Sequence, residues 1–160
     1  MTAAPAPASR PAGAILLGAA VVGTLDLLDA LVFFGLRGAR PVRILQSIAS
    51  GLLGPASFEG GAAAAVLGLV LHFVIAFLIV LTCYAIARVA PGLVARPLVA
   101  GPIYGLGAYA VMNYVVIPLS AARSSRPSWP VLINGLLIHA IGVGVPSVVA
   151  ARAALRRRGR

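Results

Sequence analysis

Residues 61–87 read GAAAAVLGLVLHFVIAFLIVLTCYAIA, a run without one Asp, Glu, Lys or Arg. As a helix rising 1.5 Å per residue it would cover roughly 40 Å, more than the roughly 30 Å of a bilayer's hydrocarbon core. Its apolar residues are continuous rather than alternating, which argues against a strand of a membrane barrel. A segment in hydrocarbon must also satisfy its own backbone hydrogen bonds, as a helix does. Three further stretches have the same character: Gly13–Leu36, Pro97–Leu119 and Val131–Ala151. Together they specify an all-α integral membrane four-helix bundle occupying residues 13–151.

Composition supports this. The 160 residues are 61% hydrophobic and 10% charged, with a mean hydropathy of +1.03. Soluble domains are nearer half apolar and a quarter charged. A soluble domain of this size leaves too much surface in water to hide the excess. A soluble enzyme, a secreted disulfide scaffold and a disordered chain are all excluded. Cys83, the single cysteine, lies inside an apolar run and has no partner for an intrachain disulfide.

The net charge of +10 comes from thirteen basic residues, every one an arginine between the apolar runs or at the chain ends. A nucleic-acid binder would gather such charge on a folded face with polar or aromatic readers. Cations flanking spans instead set orientation and meet anionic headgroups. The expected partners are therefore the lipid bilayer and, at the Arg-rich tail 152–160, anionic lipid headgroups, with no nucleic acid. Arg10, Arg88, Arg96 and five tail arginines fall on one side of a four-span topology. Arg37, Arg40, Arg43, Arg123 and Arg126 fall on the other. The excess places both termini in the cytoplasm. Trp129, just before the fourth span, suits the aromatic belt of the outer interface.

Residues 1–12 are rich in Pro and Ala and are expected to be disordered. The following apolar run is too long for a signal peptide and lacks a clean cleavage site, so it reads as an uncleaved span. In the first loop, Pro41–Leu53 (PVRILQSIASGLL) sets Ile44, Leu45, Ile48 and Leu52 on one face, with Pro41 suited to a first turn. Too short to span, this segment is expected to lie as an amphipathic helix in the interface, or else as a loop helix packed on the span ends.

The polar residues within the spans carry the functional signal. Asp26 and Asp29 lie in the first, His72 in the second, Asn113 in the third, and Asn134 and His139 in the fourth. A carboxylate at a helix centre costs about 2.5–3.5 kcal/mol on insertion scales, so such groups should face one another or water. By residue count, Asp26, His72 and His139 fall within about 3 Å of the span midpoints, and the others roughly 7–10 Å away. All six fall on one side of the midplane. The helix faces agree, because rows of small residues mark close helix approach in membranes. His72 continues the row Gly61, Ala65, Gly68; His139 lies between Gly135 and Gly142; Asp26 follows Ala19 and Gly23. In the third span, Gly101 and Gly105 lead to Ala108 and Met112, with Asn113 about a quarter turn away.

Three roles are open to such a cluster. It could tie the helices together by hydrogen bonds worth about 0.6 kcal/mol each. It could bind or pass protons or a cation, since Asp and His exchange protons near neutral pH. Or His72 and His139 could hold haem or a metal as the cofactor of a redox or accessory subunit. No catalytic motif (Ser-His-acid, Walker loop, CxxC or HExxH) is present, so a non-enzymatic role is expected, in a homo-oligomer or a larger membrane complex. Gly142 and Gly144 before Pro146 mark the fourth span as the one to bend.

Three stretches carry a family resemblance: HFVIAFLIVLTCYAIARVAP (His72–Pro91), YGLGAYAVMNYVVIPLS (Tyr104–Ser120), and the Trp-led fourth span with His139. Over roughly residues 61–155 the chain resembles small bacterial inner-membrane proteins of the YagU type. RILQSIASGLLG and MNYVVIPLS are similar to segments of related bacterial proteins. The resemblance implies a multi-span bacterial inner-membrane protein and supplies no catalytic residue. The first span departs from the YagU pattern, so Asp26 and Asp29 are not carried over from it.

Overall fold

The structure, a computed structural model, describes residues 11–123 and 127–158. Four helices are long and apolar enough to cross a membrane: α1 (Pro11–Gly35), α3 (Gly61–Val89), α4 (Pro97–Leu119) and α5 (Trp129–Arg156). A shorter helix, α2 (Pro41–Leu53), lies between the first two. No strand occurs among the described residues. Proline stands in the first turn of α1, α2, α4 and α5, where its missing N–H forfeits nothing and its fixed φ suits a helix.

The ends differ from expectation. Pro11 and Ala12, expected in the disordered segment, begin α1, while residues 1–10 lie outside the described residues. Helical geometry continues to Arg158, so the basic tail begins on the helix rather than beyond it. Residues 159–160 and Arg126 lie outside the described residues.

One half of the bundle is closed. Ala14, Ala19 and Val22 of α1 pack with Val80, Cys83 and Ala87 of α3 and with Val148, Ala151 and Ala154 of α5. Helices in lipid gain little from apolar burial against one another and associate by close van der Waals fit, which small residues permit. A Cβ on Gly18 would overlap the side chain of Ala150. Helix α4 joins through backbone-to-backbone crossings. There a Cβ on Gly105 would overlap the His139 carbonyl, and one on Gly144 the Gly101 carbonyl.

The other half is looser. The first ten residues of α5 and the last eight of α4 bury none of their residues fully. Helix α2 sits at this end, laid against α3 where Gly68 admits the Leu45 carbonyl. Its buried residues are Ile44, Gln46, Ala49 and Ser50, rather than the face through Leu52, which is exposed. The shift has a cause: Gln46 Nε2 donates to the Gly61 carbonyl at 3.0 Å. The Ala121 amide donates to the Gly51 carbonyl at 2.9 Å, tying the third loop to the same end. Gly61 and Gly68 thus serve α2 rather than a neighbouring span.

Two stretches have wide, π-type turns, Met112–Val116 in α4 and His139–Gly144 in α5. Each lies just before a proline, Pro118 and Pro146. A proline ring crowds the carbonyl four residues back and removes a hydrogen bond, and widening the preceding turn accommodates both effects. In α5 the wide turn falls at the Gly142, Gly144 and Pro146 segment singled out in the sequence; its counterpart in α4 is the added finding.

Candidate functional site

Asp26, His72 and His139 converge from α1, α3 and α5. The approach of α1 and α3 is set by Gly23, whose missing side chain leaves room for the Phe73 ring and Ala76; a Cβ there would stand 2.7 Å from the ring. At that crossing His72 Nε2 lies 2.7 Å from the Gly23 carbonyl. A carbonyl only accepts, so Nε2 carries the proton and donates. When the ring is neutral this leaves Nδ1 as an acceptor, and Nδ1 faces Asp26 Oδ2 at 4.0 Å. His139 has the opposite arrangement. Its Nδ1 donates to the Gly135 carbonyl at 3.0 Å, which leaves Nε2 as the acceptor, and Nδ1 lies 3.9 Å from Asp26 Oδ1. Tyr109 sets its ring edge-on to His139, 5.2 Å between centroids.

Asp26 is thus flanked by two imidazole nitrogens, yet both lie beyond hydrogen-bonding distance. Among the described residues no donor reaches either of its oxygens. Its side chain is 28% exposed, against 11% for His72 and 17% for His139. The exposure is into a half-open cavity of about 500 Å³. Val22, Ala76 and Val143 line its lower end and also belong to the closed core. The cavity therefore reaches about one turn past the three polar residues, to the edge of the closed core. At the other end it meets Arg43 and Ser47 of α2.

The six intramembrane polar residues form two groups rather than one network. Asn134 Nδ2 donates to Asp29 Oδ2 at 2.7 Å, and neither residue lines the cavity. Asn113 lines it, but its amide donates to the Tyr109 carbonyl of its own helix at 3.0 Å. The two aspartates lie only about 60° apart around α1 and about 4.5 Å apart along it, so their separation comes from their neighbours: the two histidines beside Asp26, and Asn134 at the start of α5 beside Asp29.

Sequence reasoning missed the Gly23 carbonyl, the cover supplied by α2, and the wide turns bearing Asn113 and His139. Of these only the turns had a legible signal, in Pro118 and Pro146.

Chemically, the site offers one carboxylate and two imidazoles with opposite tautomers. It can hold a proton or a hydrogen-bond-donating cation at Asp26. A metal or haem would have to use Nδ1 of His72, since Nε2 is engaged by Gly23. Among the described residues no group of three or more His, Cys, Asp or Glu is disposed to hold a metal ion.

Comparison of the chain with models of known protein families, with curated proteins and with solved structures found no match. Fold and site alone define the class: a protein helical through its described residues, with four helices able to cross a membrane and a cavity lined by Asp26, His72 and His139.

Proposed function

We propose that this is a non-enzymatic bacterial inner-membrane protein that takes up a proton or a small cation at Asp26, which His72 and His139 flank. The observation that carries the proposal is the Asp26 carboxylate, with no donor among the described residues, facing a partly open cavity. A carboxylate held at that depth is costly unless a cation or water balances it. Wide π-type turns occur often at functional sites, and both such turns here supply cavity residues.

The arginine distribution supports cytoplasmic termini, which puts the cavity mouth and α2 on the outer side. The length and sequence of α2 suit the membrane interface there. Four spans are few for a transporter acting alone, so the conducting form is a homo-oligomer.

Purified protein in liposomes, followed with a pH-sensitive dye, tests the role. Wild-type protein should dissipate an imposed proton gradient, and Asp26→Asn should abolish the flux. Equal fluxes from the two proteins would remove Asp26 from the mechanism.

A further inference from the structure

The cavity above Asp26 is larger and more apolar than uptake of a proton or a bare metal ion requires. Its volume of about 500 Å³ falls within the roughly 300–1,000 Å³ of sites for organic ligands. A water molecule takes only about 30 Å³ in the liquid. Along α1 it runs from Val22 to Phe34, roughly 18 Å at the helical rise, with Asp26 about a third of the way along. Its other walls include Phe34, Ile44, Ile75, Met112 and Ile117, with Ser47 and Asn113 as uncharged polar side chains. A hard cation takes six or more oxygen ligands, more than Asp26, Ser47 and Asn113 supply together.

The polar groups are equally selective. Both Asp26 oxygens accept, and with the ring neutral His72 Nδ1 accepts, because Nε2 is committed to Gly23. A nitrogen seated about 2.8 Å from both Oδ2 and Nδ1 fits across their 4.0 Å gap. The group that complements these atoms is positively charged, bears N–H hydrogens and carries an apolar body. Arg43, at the far end, donates to the Phe58 carbonyl at 2.9 Å and lies against the Phe58 ring. Its charge there disfavours a second cationic group on the ligand.

We propose that this cavity binds a protonated organic monoamine. Its ammonium bridges Asp26 and His72, and its hydrocarbon body lies against Phe34, Ile75 and Met112. The inference rests on cation uptake at Asp26 and adds the class of ligand. Titration calorimetry on the full chain in nanodiscs, with 1-adamantylamine and its permanently charged trimethylammonium analogue, tests it. The amine should bind saturably at one site. The quaternary cation, with no hydrogen for His72, should bind at least about tenfold more weakly, the loss of one charge-assisted hydrogen bond. Asp26→Asn should abolish amine binding.

Equal affinity for the two cations would overturn the bridge to His72, and this comparison needs only the wild-type fold. Undiminished binding to Asp26→Asn, or no saturable amine binding to the wild type, would overturn the site. Proton flux measured without amine separates the two proposals. Flux with no amine binding defeats the ligand class alone, whereas amine binding with no flux defeats proton uptake and leaves the amine site in place.

Discussion

The two halves of the bundle are built from similar sequence but to different specifications. In the closed half, alanine, glycine and valine bring α1, α3 and α5 together until residues such as Val80, Val148 and Ala151 have no exposure. In the other half the ends of α4 and α5 bury nothing fully, α2 covers the opening, and Asp26, His72 and His139 lie where the two halves meet. Sites with unsatisfied polar groups commonly weaken the fold that holds them, and here the two demands are separated along the helix axis.

Labelling gives the largest contrast. Cys83 is fully buried in the closed half and should resist a membrane-impermeant maleimide in the folded protein. With Cys83 replaced by Ala, Ser47→Cys at the cavity wall should label readily. Labelling of Cys83 before denaturation would mean that the closed half is not closed.

In thermal melts in detergent, Gly144→Leu should destabilise by about 3 kcal/mol or more. Its side chain would overlap the Gly101 carbonyl at a crossing with no room to give. Val148→Ala leaves a void in the same half and should cost about 2 kcal/mol. In the open half, Asn134→Leu removes the partner of Asp29 and should cost only about 0.6 kcal/mol. Asp26→Asn should fall within about 0.5 kcal/mol of wild type, towards greater stability, because it removes a carboxylate that no donor satisfies. A loss of 2 kcal/mol or more from Asp26→Asn would make that residue a structural member and erase the distinction between the halves.

Much of this was legible in the chain. The four spans follow from length and hydropathy, since hydrocarbon leaves a long apolar segment few alternatives to a helix. Helix α2 follows from its pattern and from Pro41. The convergence of Asp26, His72 and His139 follows from matched depth and from rows of small residues, both periodic properties. What failed was the extrapolation to one network of six. Depth and face locate a residue on its own helix, but they do not say which neighbour a given face meets.

Periodicity is local, so residues 61–87 by themselves determine a helix able to cross a membrane, and 41–53 a helix that cannot. Which glycine receives which carbonyl depends on how five helices share one space. Gly68 could as well have met a span as met α2. Gly23 sets the tautomer of His72 only because Phe73 packs against it. Those pairings, and with them the cavity and its acceptors, belong to tertiary structure, because they arise from contacts between segments far apart in the chain.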